Sequence, residues 1–448
     1  MRRIQFLLAL WAAKASVLGC KLVGKKGSSA PGVIALRLYP GMLEELSRRA
    51  GGKTIAVCGT NGKTTTNNLL YTILRAKGMK VVCNKLGSNM ISGVTTAYLD
   101  ACDAFGRLAA DVSCLEIDEA SSVQILDRLK PDYLVITNLF RDQLDRYGEI
   151  DITMELLKKA LEKTPGTVLV LNGDDPLCAS FHQSLDRESV FFGIDEDVQV
   201  ALRETKEGRF CVFCRHELRY HYYHYSQLGD YYCENCGFRR PKLDFPARQV
   251  SLGERAEFMV GQAPIRANYR GFYNIYNILA AFSVASLLGV GLEDINQILA
   301  SYKPQIGRME EFTVNGRPVI LNLSKNPAGF NQAISTMMKD ARNKDVVVVI
   351  NDNDQDGTDI SWIWDVDFER MAQTGFSRFA ASGIRAEDVA VRMKYAGIPS
   401  EAVTFEKDVE AAIKALSESK GDVLYVLVNY TPLFETQRIL LRLQKEGA

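Results

Sequence analysis

The sequence predicts an α/β protein of about three domains, built mainly on parallel sheets. Three observations carry that expectation. Strand-like apolar runs at 54–58, 80–83, 112–117, 133–137 and 167–172 alternate with segments of helical spacing. A second block of the same kind closes the chain, with runs at 346–350, 378–381 and 423–428. At 448 residues the chain is too long for one hydrophobic core. Ligands on such sheets sit beyond the carboxyl ends of the strands, and the polar, glycine-broken segments of the first block fall there.

The N-terminal stretch comes first. Met1-Arg-Arg precedes an apolar run from Ile4 to Ala13, and Val17-Leu-Gly-Cys20 has the look of a lipoprotein cleavage site. Lys14 interrupts the run and leaves it too short to span a bilayer. Residues 4–18 therefore read as an amphipathic helix, packed on the protein or resting on a membrane surface, with packing as the first choice. Pro31-Gly32 ends this segment, a short helix carries Met42, Leu43 and Leu46, and Gly51-Gly52 leads into the first strand. The divisions expected are an N-terminal helical segment over 1–48, a central domain over 49–303 and a C-terminal domain over 304–448.

The first strand breaks into Gly59-Thr60-Asn61-Gly62-Lys63-Thr64-Thr65, and Leu69, Leu70, Ile73 and Leu74 follow at helical spacing until Gly78. Strand, glycine turn and helix make a phosphate-binding loop, because glycines let backbone N–H groups crowd an anion at a helix N-terminus. Lys63 would reach the β- and γ-phosphates and Thr64 would hold Mg²⁺. Val57 stands where the full consensus has its first glycine.

Four polar stretches follow later strands. Asn84–Gly93 reads as a loop or as a substrate loop. Glu116-Ile-Asp-Glu-Ala-Ser-Ser122 places carboxylates at a strand end, where magnesium takes one or two of them; taken alone, it is a solvated acidic turn. Thr137–Gly148 is dense in polar groups, and Asn172-Gly-Asp-Asp-Pro176 is a turn by composition.

Cys211-Val-Phe-Cys214 and Cys233-Glu-Asn-Cys236 are separated by eighteen residues. Two such knuckles suit structural zinc, and four thiolates would leave no open position for catalysis. The insert, over 205–242, should turn as a hairpin at Leu228-Gly229-Asp230, with His216, His221 and His224 at its surface or in packing. Ten cysteines in all, without a convincing export signal, point to a reducing compartment. Lys+Arg and Asp+Glu are equal at 54 each, so no global field recruits nucleic acid. A basic Arg239-Arg240 pair leaves a nucleic-acid-binding ribbon as the competing reading of the insert.

The motifs, taken in order, resemble the Mur ligase family. They are Gly59–Thr65, Asn138-Leu with Asp142 and Leu144-Asp145, Asn172 with Asp174-Asp175-Pro176, Gly271-Phe-Tyr-Asn-Ile-Tyr-Asn277, and Gly307-Arg308 with Glu310. The resemblance covers residues 50 to about 310. It implies a P-loop ATPase domain followed by a smaller Rossmann-like domain. The implied chemistry is ATP-driven activation of a carboxylate as an acyl phosphate, which an amine then attacks. By the same resemblance Lys63 and Thr64 serve phosphate and Mg²⁺, Glu119 is the metal glutamate, Asn274 and Asn277 lie on the adenine side, and Arg308 is the nucleotide arginine. Two departures stand out. Gln143 replaces the metal-binding histidine of the amino-acid-adding ligases, and Asn322-Leu-Ser-Lys-Asn-Pro327 replaces Asp-x-Ala-His-Asn-Pro.

A narrower resemblance spans essentially the whole chain. The four-cysteine insert, Lys325-Asn-Pro327, Asp356-Gly-Thr-Asp359 with Ser361-Trp-Ile-Trp-Asp365, and Ser382–Asp388 are similar to the MurT-type subunits of lipid II isoglutaminyl synthases. That group amidates the D-glutamate α-carboxylate of the lipid II stem peptide. Its ammonia comes from glutamine through a separate GatD-type amidotransferase. Asp356 is then the residue expected to orient the partner's catalytic histidine, with Asp359 and Asp352 as alternatives. Ammonia needs no pocket for an amino-acid side chain, which accounts for the altered 322–327 motif. An ordinary Mur ligase adding an amino acid is the alternative.

Overall fold

The computed structural model describes residues 2–22, 27–85, 87–141, 150–199, 208–252, 255–269, 271–302, 307–372 and 375–446. Asp142, Gln143, Leu144 and Asp145, singled out in the sequence, lie outside these residues.

Three helices open the chain: α1 (Arg2–Leu22), α2 (Ala30–Leu38) and α3 (Met42–Ala50). Helix α1 packs inward, the first choice from sequence. Phe6, Ala9, Leu10 and Ala13 are buried in one cluster with Ala35, Met42, Leu46 and Tyr98. Burying Phe6 and Leu10 alone favours docking by about 3–6 kcal/mol. Lys14, which breaks the apolar run, turns inward as well: its Nζ donates to the Leu99 and Cys102 carbonyls at 2.8 and 2.7 Å. No described helix is long and apolar enough to cross a membrane. Pro31-Gly32 does not end the segment but starts α2, because proline's preset φ suits a first helical turn.

The central sheet follows. Its elements are β1 (Lys53–Cys58), α4 (Lys63–Ala76), β2 (Val81–Cys83), α5 (Ile91–Ala101), β3 (Val112–Glu116), α6 (Ser122–Leu129), β4 (Tyr133–Ile136), α7 (Ile150–Glu162), β5 (Val168–Asn172), α8 (Pro176–Leu185) and β6 (Ser189–Ile194). The insert contributes a separate pair, β7 (Arg219–Tyr225) and β8 (Leu228–Tyr232). The chain then returns through β9 (Phe245–Leu252), β10 (Ala256–Val260) and β11 (Ala263–Ala267) to α9 (Tyr273–Leu287) and α10 (Leu292–Ser301). Nine strands lie in the order β11-β10-β9-β6-β5-β4-β1-β3-β2. Those from β2 to β9 pair parallel, and β9, β10 and β11 are antiparallel. Order reverses at β1, whose neighbours are β3 and β4, so the phosphate loop opens at the topological switch point.

The last unit comprises β12 (Glu310–Val314), β13 (Arg317–Leu323), α11 (Pro327–Lys339), β14 (Lys344–Val349), β15 (Phe376–Ser382), α12 (Ala386–Tyr395), β16 (Val403–Phe405), α13 (Val409–Ser417), β17 (Val423–Val428) and α14 (Leu433–Glu446). Its six strands run β12-β13-β17-β14-β15-β16, parallel except for β12. Each side of this sheet has its own apolar cluster.

Two local expectations need correction. The β7–β8 turn is at Ser226-Gln227, with Ser226 at φ +48, rather than at Leu228–Asp230. Gly229 lies in the strand because a Cβ there would sit 2.3 Å from the Tyr222 carbonyl oxygen. The two tryptophans of the 351–367 stretch, which by sequence alone should pack behind an acidic loop, do not both pack: Trp362 is buried against Phe330, whereas Trp364 is half exposed.

Candidate active site

Two glycines shape the phosphate loop. At Gly59, φ is +118 and a Cβ would meet Thr137 Oγ1 at 2.4 Å; at Gly62, φ is +86 and a Cβ would meet Asn277 Oδ1 at 1.9 Å. The loop is braced from the next strand, where Asn138 O accepts from Thr60 N and Asn138 Oδ1 accepts from Asn61 N, both at 2.9 Å. The Asn277 carboxamide leaves no room for a Cβ at Gly62 because it stands directly against the loop, where its Nδ2 donates to Asn274 Oδ1 at 3.0 Å. Gly59, Gly62, Asn274 and Asn277, each singled out in the sequence, therefore converge on one place.

Lys63 is buried. Its Nζ donates to the Gly59 carbonyl at 2.6 Å and to Glu119 Oε1 at 2.9 Å. Glu119 Oε1 also accepts from Gly59 N at 2.9 Å. Burial pushes the Glu119 carboxyl above its usual range, and Lys63 pulls it back. Glu119 thus holds the lysine and the loop together.

The sequence places magnesium on Thr64 and Glu119. The geometry adds a different carboxylate. Glu116 ends β3 beside Val57, is buried, and has one oxygen bonded by Asn89 Nδ2 at 2.9 Å. Its other oxygen, Oε2, is buried with no hydrogen-bond partner. A Cβ built on Gly87 would lie 3.8 Å from both Glu116 Oε2 and Thr64 Oγ1, so these oxygens flank one small space. An orphaned carboxylate oxygen beside a loop hydroxyl fits a hard divalent cation. The residues present fit magnesium, and Glu116, which the sequence does not single out over Glu119, is placed to take part. The only signal for it in the sequence is its place at the strand terminus.

The C-terminal unit reaches the loop directly. Asn61 and Asn326 exchange carboxamide hydrogen bonds at 3.3 and 3.1 Å, and Asn326 Oδ1 also caps α11 through Gly329 N at 2.9 Å. Arg141 and Asp365 form a second bridge between the units at 3.0 Å. Asn322, at the position where the broader family has aspartate, is buried; it accepts from Met309 N and donates to Ser324 Oγ. It therefore shapes the turn that carries Arg308. Between the units lies a cavity of about 600 Å³, lined by Tyr269, Phe272, Met309, Ile320, Gln332 and Tyr425 among others. Burial pushes the Tyr269 and Tyr273 phenols up, and the nearby Arg308 guanidinium pulls the other way.

Asp356 is not displayed on the surface. It is 4% exposed, and both its oxygens accept from Thr431, through the amide at 2.8 Å and through the hydroxyl. Burial raises its pKa. Asp352 pairs with Arg385 at 2.6 Å, and Asp359 caps Ser361 N at 2.8 Å.

The four cysteines do meet. Their sulfurs all lie within 4.8 Å of one another, with Cys211–Cys236 and Cys214–Cys233 at 3.5 Å. Zinc–sulfur bonds near 2.3 Å in a tetrahedron would separate sulfurs by about 3.7 Å, so the cluster fits such an ion. The described cysteines are free thiols. The insert is also locked to the nucleotide half, which the sequence does not reveal. Gln227 Nε2 donates to the Leu139 carbonyl at 2.7 Å. His224 is buried and holds the Tyr276 hydroxyl at 2.6 Å, between Asn274 and Asn277 on α9. Arg240 and Tyr276 both bind the fully buried Asp174.

A phosphate loop at a sheet switch point, met by a second α/β unit across a cleft, defines a nucleotide-dependent ligase of Mur type. Solved structures agree on the fold. The chain is similar to a pseudomurein peptide ligase type C from Methanothermus fervidus, with TM-score 0.68 and 23% identity over 89% of this chain and 80% of that one. It is similar also to MurF from Acinetobacter baumannii, with TM-score 0.66 and 17% identity over 92% and 80%. Residues 57–238 match the Mur ligase middle domain and residues 323–433 the MurT ligase C-terminal domain. The chain is 35% identical to the lipid II isoglutaminyl synthase (glutamine-hydrolyzing) subunit MurT of Streptococcus pneumoniae, over 97% of this chain and 96% of that protein. The Staphylococcus aureus (strain COL) subunit of the same name is 32% identical over 95% of both. The chain belongs to the MurT family.

Proposed function

We propose that this chain is the ATP-dependent ligase subunit of a lipid II isoglutaminyl synthase, amidating the D-glutamate α-carboxylate of the stem peptide in peptidoglycan synthesis. The observation that carries the reading is the contact of the phosphate loop with the Asn326 turn, in a chain similar along 97% of its length to a MurT subunit. The loop amides of Gly59 to Thr65 and the Lys63 ammonium bind the ATP phosphates. Asn274 and Asn277, which stand against the loop at Gly62, face the nucleoside. Thr64 and Glu116, with Glu119 behind them, would hold Mg²⁺, which would supply neutralising charge for phosphoryl transfer. Lys63 and Arg308 stabilise charge as the γ-phosphoryl moves to the carboxylate. Ammonia attacks the acyl phosphate, its C–N bond forms, and phosphate leaves.

Ammonia comes from glutamine, hydrolysed by a GatD-type partner. Asp356 orients that partner's histidine, and Thr431 holds the carboxylate in one orientation for the task. Cys211, Cys214, Cys233 and Cys236 would hold zinc as a structural ion that ties together the two ends of the β7–β8 hairpin. Nucleic acid is no part of this function. The work is done in the cytoplasm, at the inner face of the membrane. The working domain limits are 1–48, 49–303 and 304–448.

The Asp356→Asn variant tests this reading with the partner present. Ammonium-driven ADP release on lipid II should persist, while glutamine-driven release falls by roughly 100-fold or more. Equal loss of both would place Asp356 in the ligase site or the fold. Turnover that needs an amino acid, and ignores ammonium, would overturn the function itself.

A further inference from the structure

Helix α1 has two apolar faces, and only one is used by the core. Ile4, Leu8 and Trp11 recur at i, i+4 and i+7 on the outer face and are 65%, 57% and 48% exposed. The exposed surface continues past the helix. Trp11 Nε1 donates to the Ala104 carbonyl at 2.8 Å, and the next residue in the chain, Phe105, is 60% exposed. Gln5 Nε2 donates to the Leu38 carbonyl at 3.0 Å, which ties exposed Leu38 to the same face.

The charge around this face has one dominant sign. Arg3 adjoins Ile4, Arg37 adjoins Leu38, and both are exposed. The Arg107 guanidinium stands 5.4 Å from the centre of the Phe105 ring. The acidic neighbour, Asp103, has its carboxylate turned to the amides of Phe105 and Arg107. Aromatic and aliphatic side chains rimmed by arginine are the composition of a helix that lies in a lipid headgroup layer.

The same segment adjoins the reacting centre. The Ser29 hydroxyl, just before α2, bonds the Ser88 hydroxyl, and a Cβ on Gly32 would collide with the Ser92 carbonyl at 1.8 Å. Ser88 belongs to the loop whose Gly87 borders Glu116 Oε2 and Thr64 Oγ1, and Ser92 to the first turn of α5 that follows it. Surface and site are thus one helical layer apart.

We propose that the Ile4–Leu8–Trp11–Phe105 face docks this chain on an anionic phospholipid surface, presenting the 87–90 loop to a substrate anchored in that surface. The docking itself stands on the face; its purpose rests on the lipid II reading. α1 lies in the plane of the headgroups. Trp11 and Phe105 enter the acyl boundary, and the arginines meet lipid phosphates.

The test is co-sedimentation of the full chain with phosphatidylglycerol vesicles and with phosphatidylcholine vesicles. Binding to the anionic vesicles is expected, weaker by about fivefold for each of Arg3→Gln and Arg107→Gln. Leu8→Glu and Phe105→Glu, whose side chains make no hydrogen bond, should each weaken it by about tenfold or more. Brominated lipid should quench a fluorescence component that Trp11→Phe removes, which keeps the test open if a glutamate variant is unstable. Absence of binding to anionic vesicles, equal binding to both lipids, or binding indifferent to Leu8→Glu and Phe105→Glu overturns the proposal. Amidation of detergent-dispersed lipid II should be unchanged in these variants. Its absence in the unmodified complex would sink the function while leaving vesicle binding to decide the docking.

Discussion

Replacing Glu116 by glutamine separates the two acidic residues near the phosphate loop. The two effects expected have opposite signs. Without nucleotide, the variant puts a neutral amide in place of a buried charged oxygen that no donor satisfies, and charge raises the cost of leaving a buried group unpaired. Such a group costs about 1–3 kcal/mol or more, and glutamine still offers its carbonyl to Asn89 Nδ2. The melting temperature of the metal-free chain should therefore rise, by about 2–4 °C per kcal/mol for a domain of this size. With magnesium nucleotide, the variant loses a charged cation ligand. A charge-assisted contact of about 1.5–3 kcal/mol corresponds to about 10- to 100-fold in affinity. Titration calorimetry with a non-hydrolysable ATP analogue, at several Mg²⁺ concentrations, reads the second effect without relying on turnover. Differential scanning fluorimetry reads the first. An unchanged Mg²⁺ requirement together with a lowered melting temperature would show that Glu116 is a structural carboxylate. The Glu119→Gln variant gives the contrast: it should loosen Lys63 and lower affinity for the nucleotide's phosphates even where Mg²⁺ saturates.

Two further outcomes follow from buried groups. Asp175 is fully buried, and burial raises its pKa to about 6. Its folded value lies above the unfolded one, so its contribution favours folding most below about pH 3.9 and fades as pH rises through about 6. The contribution is worth about 2–3 kcal/mol across that window. Asp175→Asn should flatten the stability profile between pH 4 and 7 in chemical denaturation; an unchanged slope would refute the assignment. Cys214→Ser should release the ion of the four-cysteine site, measured as zinc per chain by atomic emission. Structural zinc supplies about 10 kcal/mol or more in isolated zinc peptides. The insert, whose Gln227 and His224 hold Leu139 and Tyr276, should then become sensitive to protease. Full metal content with an unaltered digestion pattern would count against a metal role.

Much of the fold is legible in the sequence because it rests on local rules. Strand and helix periodicity places β1 to β5 within one or two residues, and the glycine turn between β1 and α4 requires Gly59 and Gly62 for reasons of backbone φ. The cysteine spacing is legible because two C-x-x-C knuckles bring sulfurs together over short loops. Local rules mislead at three places, each governed by a distant partner. Pro31 starts a helix that its own preset φ allows, and the fit of Gly32 against Ser92 fixes where that helix packs. The insert's turn sits at Gln227 because a buried carboxamide is pinned to Leu139 and Asp175. Trp364 stays exposed while its neighbour at 362 finds Phe330.

The candidate site divides in the same way. The phosphate loop and the four thiolates can be read from the chain alone, since each is a short motif whose chemistry depends on adjacent residues, whereas the two asparagines of α9 and Asp356 are legible only through the family resemblance. Choosing between Glu116 and Glu119 takes the folded molecule. Three residues apart in sequence, they differ in what other elements bring to them: Lys63 and Gly59 turn to Glu119, and Thr64 and Gly87 border Glu116. The same holds for the meeting of Asn326 with Asn61, 265 residues away, and for the apolar face that α1 keeps outside the core. Those relations depend on which surfaces pack across the two sheets, and packing between distant segments has no period in the sequence from which it could be read.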